Sequence, residues 1–134
     1  LLREIEEYNR IGREHGALPL ARKTKLKIDS TYSDQLHLFE IARQLRVDSS
    51  TMGRVFKQSF GMSPVRYRNH LRVIDSIGLM LLHGHTVSAA AYEVGFSHIS
   101  RFDRNFKSLI ASAPSLFRFP SSERSLSDKS DLST

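Results

Sequence analysis

The stretch RVFKQSFGMSPVRYR, from Arg54 to Arg68, is answered fifty residues later by RNFKSLIASAPSLFR, from Arg104 to Arg118. Arg54/Arg104, Phe56/Phe106, Lys57/Lys107, Pro64/Pro114 and Arg68/Arg118 are identical. Phe60/Ile110, Gly61/Ala111 and Tyr67/Phe117 are matched in character. Average composition gives about one identity in a window of this length. Five identities in register therefore indicate an internal repeat, and a repeat settles the architecture before any single element does.

The residues around both copies carry helical spacing. Leu1, Ile5, Tyr8 and Ile11 form a stripe for a linker helix within residues 1–19, stopped by Gly16 and Pro19. A second helix is expected from about Leu20 to Thr31; its basic cluster Arg22, Lys23, Lys25 and Lys27 forms either a solvated or a phosphate-binding face. Leu38 to Leu45 reads as a short helix with Leu38, Ile41, Ala42 and Leu45 inward. Asp48, Ser49 or Ser50 then suits the cap of a helix reaching Phe60, with Met52, Val55, Phe56 and Phe60 buried. Gly61 stands where a helix ends with positive φ. Pro64 opens the longest helix, to about His83, with Tyr67, Leu71, Ile74, Gly78 and Leu81 as its core side.

The order then restarts. Thr86 is the cap of a short helix carrying Val87, Ala90, Ala91 and Val94, and Gly95-Phe96-Ser97 is the turn. His98 to Leu109 is a helix with Phe102, Asn105/Phe106 and Leu109 along one side. Ile110-Ala111 takes the place of Phe60-Gly61, so this helix lacks a glycine stop. Ala113-Pro114 opens a last short helix with Phe117. Residues 119–134 are Ser-rich and are expected to form a disordered tail. No strand pattern is present, and the expected fold class is all-α.

Charge is concentrated on the repeated segment. The chain carries +6 in all. Residues 21–118 hold fifteen Lys/Arg against seven Asp/Glu, while residues 1–20 and 119–134 are each −1. The simplest partner is a polyanion, either nucleic acid or an acidic membrane surface. The longest apolar run, Ile77 to Leu82, is too short to cross a bilayer, and no signal peptide is visible. A cytoplasmic protein without a membrane partner is expected. The absence of Cys excludes disulfides, thiolate zinc sites and cysteine nucleophiles. His83 and His85 have no nearby carboxylate or thiol in sequence, so no metal is expected. No nucleophile beside a base and no phosphate-cradling glycine loop is present. Neither enzymatic activity nor a cofactor is expected. The chain opens on Leu1 and not Met, and an upstream portion is expected.

A short helix, a tight turn and a second helix, used twice, is the helix-turn-helix arrangement, at about residues 38–60 and 87–109. Its second helix suits the major groove of B-DNA. With the buried positions removed, the first such helix exposes Ser49, Ser50, Gly53, Arg54 and Lys57, and the second Ile99, Ser100, Asp103, Arg104 and Lys107. Arg54-x-Phe-Lys-x-x-Phe-Gly-x-Ser-Pro-x-x-Tyr, Leu71-Arg72, Gly95-Phe96 and Arg104-x-Phe-Lys together resemble the DNA-binding domain of AraC/XylS-type transcription regulators. The resemblance covers roughly residues 20–118. It implies about seven helices in two helix-turn-helix subdomains joined by the long helix, with the reading helices in successive major grooves. By position it implies base reading by Ser49, Ser50, Gly53, Arg54, Ile99, Ser100, Asp103 and Arg104. Lys57, Lys107, Arg66 and Arg68 are the phosphate candidates, with Arg72 a further one. The partners it implies are double-stranded DNA, RNA polymerase, and an upstream effector-binding or dimerisation domain outside this chain.

Several residues depart from that pattern. Gly53 lacks a side chain and costs about 1 kcal/mol of helix propensity. Ala90 is smaller than the usual aliphatic. Asp103 brings negative charge towards DNA, either to accept from cytosine N4 or to hold Arg104. These departures favour one alternative, a partner-binding module with decayed DNA reading; a second alternative is the DNA-binding part of a larger DNA-repair enzyme.

Overall fold

The computed structural model describes residues 17–118 and, ahead of them, Arg3. Most of the expected linker helix and all of the Ser-rich tail lie outside the described residues. Among the described residues there are six α-helices, a closing 3-10 helix and no strand. The helices are α1 (Ala17–Thr31), α2 (Leu38–Gln44), α3 (Ser49–Phe60), α4 (Pro64–Leu82), α5 (Val87–Glu93) and α6 (Ile99–Ile110), followed by the 3-10 helix Pro114–Phe117. They divide into two compact units, residues 1–69 and 70–134, with the division inside α4. The first helix starts three residues before the expected Leu20, so Pro19 sits in its first turn. A first-turn N–H has no intrahelical acceptor, so proline is tolerated there.

Each unit repeats one design. In the first, the amides of Leu45, Arg46 and Val47 bond back to the carbonyls of Ile41, Arg43 and Ala42. In the second, the amides of Val94, Gly95 and Phe96 bond to those of Ala90, Tyr92 and Ala91. The turn therefore closes α2 and α5 identically, with Arg46 (φ 62°) and Gly95 (φ 111°) as its left-handed residues. The second turn is one residue longer before its helix begins. Asp48 caps α3 by accepting from the Thr51 amide at 2.7 Å, whereas His98 precedes α6 without a side-chain cap.

The cores follow from the helical stripes. In the first unit, Leu20 and Ala21 of α1 bury against Val55 of α3, edged by Leu45, Val47 and Phe60. Ile28, Ile41, Ala42, Met52 and Phe56 are buried as well. The Thr24 hydroxyl, also buried, donates to the Leu20 carbonyl and so is satisfied within α1. The second core holds Val73 and Met80 of α4, Ala90 and Ala91 of α5, Val94, Phe96, Phe102 and Phe106. Phe96, read from sequence as a turn residue, is a core residue. The repeat is visible in its aromatic pairs: Phe56 lies 5.5 Å from Tyr67 and Phe106 lies 5.4 Å from Phe117.

The expected core side of α4 is corrected. Ile74 is 59% exposed and Leu81 41% exposed, while Val73, Ser76 and Met80 are fully buried. Apolar residues surround much of this helix, so spacing alone fitted a stripe one position away from the buried one. The Ser76 hydroxyl is satisfied by the Val73 carbonyl.

The end of α6 is corrected too. The helix stops at Ile110 because Ala111 adopts the left-handed conformation, φ 66°, as Gly61 does after α3 with φ 83°. Both cap amides bond to the lysine carbonyl four residues back, Lys107 and Lys57, at 2.8 Å. Alanine pays a steric cost there that glycine does not. Ala111→Gly is therefore expected to stabilise the protein by about 1 kcal/mol, raising its melting midpoint by several degrees. A thermal melt showing no rise would mean that this residue is unstrained.

Candidate nucleic-acid interface

α3 and α6 are both twelve residues long and in the same register. In each, residues two, six and nine fall on one exposed stripe: Ser50, Arg54 and Lys57 on α3; Ser100, Arg104 and Lys107 on α6. The opposite stripe is buried, through Met52, Val55 and Phe56 on α3 and Phe102 and Phe106 on α6. Anchoring an aromatic face inward is what turns the Arg–Lys face outward. Ser49 is exposed beside Ser50, and a Cβ built on Gly53 would meet nothing within 4 Å. Neither Arg54 nor Arg104 makes an ion pair among the described residues. The Asp48 carboxyl at the start of α3 is held below its usual range by the Thr51 amide, then by the Thr51 hydroxyl. It therefore stays anionic beside the reading stripe.

Four expectations for the site change. Ile99 is half-buried and packs against the second core, so its apolar side chain serves that core at the first turn of α6. Asp103 does not hold Arg104; its Oδ2 lies 3.0 Å from Lys107 Nζ, one turn further on. Arg68 is not a free phosphate donor. It is partly buried, its Nη1 donates to the Leu36 carbonyl at 2.8 Å, and burial pushes its guanidinium below the ordinary arginine range. Arg72 is buried, with its guanidinium 5.4 Å from the centre of the Phe96 ring. Long basic side chains cover apolar surface with their stems, so residue type alone does not tell a phosphate ligand from a packing residue.

The remaining phosphate candidates keep their exposure. Lys57 and Lys107 end the two reading stripes, and Arg66 projects from the first turn of α4, its amide bonded to Ser63 Oγ. Arg101, which the sequence reading passed over, is exposed one turn before Arg104. Its i, i+3 spacing to Arg104 was the available signal. On α1, Arg22, Lys23 and Lys27 are exposed, but Lys25 is engaged: its Nζ lies 3.0 Å from Asp29 Oδ2, and Asp29 also accepts from the Tyr67 hydroxyl. No group of three His, Cys, Asp or Glu side chains able to hold a metal occurs among the described residues. No described helix is long and apolar enough to cross a membrane.

Comparison with known proteins fits this geometry. A family model described as "Helix-turn-helix domain" matches residues 41–119. The chain is similar to the HTH-type transcriptional activator RhaS of Pectobacterium atrosepticum, 28% identical over 91 residues, covering 68% of this chain and 33% of that protein. The chain thus spans about a third of the length of the curated relatives it matches. Among solved structures it is similar to the C-terminal domain of AraT, a response regulator from Geobacillus stearothermophilus. The TM-score is 0.70 at 25% identity, covering 75% of this chain and 84% of that one. It also shares its fold with the DNA-binding domain of AdpA, a global transcriptional factor solved in complex with a target DNA. That match has a TM-score of 0.65 at 21% identity, covering 79% of this chain and 95% of that one.

Proposed function

Because this chain belongs to the helix-turn-helix family, as a C-terminal DNA-binding domain of the AraC/XylS type, we propose that it binds specific double-stranded DNA and thereby regulates transcription. One observation carries the reading. Two helices in one register each present an exposed arginine, unpaired among the described residues, opposite a buried aromatic anchor. Arg54 and Arg104 reach guanine O6/N7 in the major groove, flanked by Ser49, Ser50 and Ser100. Gly53 lets the backbone of α3 come close to the base edges. Lys57, Lys107, Arg66 and Arg101 contact phosphates and set the register without reading sequence. The two units take successive major-groove segments about one helical turn of DNA apart. The activator role, supported by the likeness to a transcriptional activator, is part of the same proposal, as are RNA polymerase as partner and an effector-binding portion outside this chain. The setting is the cytoplasm.

The test is selection of bound duplexes from a random pool, followed by single-base substitutions of the selected site. With Asp103 paired to Lys107, the structure supplies no restraint on Arg104, so both arginines are expected to read. Arg54→Ala and Arg104→Ala are each expected to lose about 1–3 kcal/mol and to relax discrimination at one base pair each. Uniform weakening at every substituted site would assign both arginines to phosphate. Failure to enrich any duplex would remove the DNA-reading function.

A further inference from the structure

We propose that Asp103 limits the DNA affinity of the second reading helix by occupying Lys107 and placing an anionic charge on the phosphate-facing surface. The inference rests on the DNA-binding reading above and assigns unequal shares to the two helices. α3 and α6 share Ser, Arg, Phe and Lys at Ser50/Ser100, Arg54/Arg104, Phe56/Phe106 and Lys57/Lys107, and at the fifth residue one has Gly53 and the other Asp103. That difference decides the state of the lysine one turn later. Lys107 Nζ lies 3.0 Å from Asp103 Oδ2. Lys57 has no acidic partner among the described residues. The acid stands four residues ahead of the base, the favourable order on a helix. Both side chains remain about half exposed, 56% for the lysine and 43% for the aspartate.

Such an exposed pair contributes little to folding, so it does not hold α6 together. Its consequence lies in the field that DNA meets. A lysine already beside a carboxylate gains less on meeting a phosphate, and the carboxylate itself repels the polyanion. On α3 the same phosphate contact is made by an unengaged cation beside a bare backbone. The duplicated frame thus yields one reading helix whose terminal lysine is unengaged and one whose terminal lysine is held by a carboxylate.

The test is duplex binding by fluorescence anisotropy over a salt series, using a site selected with the native chain. Asp103→Asn is expected to raise affinity roughly 5–10-fold near 0.1 M salt and to steepen the log–log salt slope by about 0.9, the signature of one added phosphate contact. The gain should be equal across single-base-substituted sites. Lys107→Ala should flatten the slope less than Lys57→Ala does, and Lys107→Ala placed on Asp103→Asn should cut the gain to the part that comes from lost repulsion. Circular dichroism melts of each variant check that folding is retained, and Asp103→Ala serves as a second removal of the charge. Unchanged affinity in both Asp103 variants would overturn the inference, as would a gain undiminished by loss of Lys107. A loss confined to one base pair would overturn it in favour of Asp103 reading a cytosine. If the native chain shows no salt-dependent duplex binding at all, the DNA-binding reading fails, and the limit on affinity falls with it.

Discussion

Replacing Phe106 by Ala is expected to destabilise the second unit by about 3–5 kcal/mol, the range for truncating a fully buried aromatic. Its ring has no solvent exposure and lies between Phe102, at 5.5 Å, and Phe117, at 5.4 Å. Loss of the ring leaves a cavity that α6 cannot close without moving its reading stripe. Phe56→Ala should have the same effect in the first unit, where the ring contacts Phe60 and Tyr67. A loss of this size is a large fraction of the about 5–15 kcal/mol that stabilises a typical domain. Thermal melts of each variant measure it, with Phe106→Leu as the milder comparison. Unchanged melting of both alanine variants would mean that the aromatic face does not anchor the reading helices.

Salt should change DNA affinity more than most substitutions will. Burial withdraws Arg68 and Arg72 from the phosphate surface. The exposed set on α1, α3, α4 and α6 remains. Roughly five to seven phosphate contacts are therefore expected, for a log–log slope of about −4 to −6. Raising salt roughly fourfold would then weaken binding by a few hundred- to a few thousand-fold. A titration with the selected duplex reads the slope directly. A slope near zero would show that the excess positive charge on residues 21–118 is ordinary surface charge.

Much of the candidate site was legible because its logic is local. The repeat showed that residues 54–68 and 104–118 do one job twice. Helical spacing then separated Phe56 and Phe106 from Arg54 and Arg104, because residues two apart on a helix point to different sides. Asp48 and Thr86 were readable as caps, since a cap needs only a side-chain acceptor within three residues.

Other features depended on neighbours distant in sequence, or on a choice among rotamers. The sequence by itself determined the all-helical class, the duplication, the capped helix starts, and the inward aromatic and outward basic stripes of α3 and α6. Only the tertiary structure decided which stripe of α4 is buried, because apolar residues lie on more than one of its sides and packing selects among them. It also turned Ile99 inward, bonded Arg68 to the Leu36 carbonyl and laid Arg72 over Phe96, whereas the Asp103–Lys107 pair is a local contact one helical turn apart that the sequence already offered. Local periodicity fixes which side chains share a face. The partner a long polar side chain meets depends on space and charge brought there by the rest of the fold.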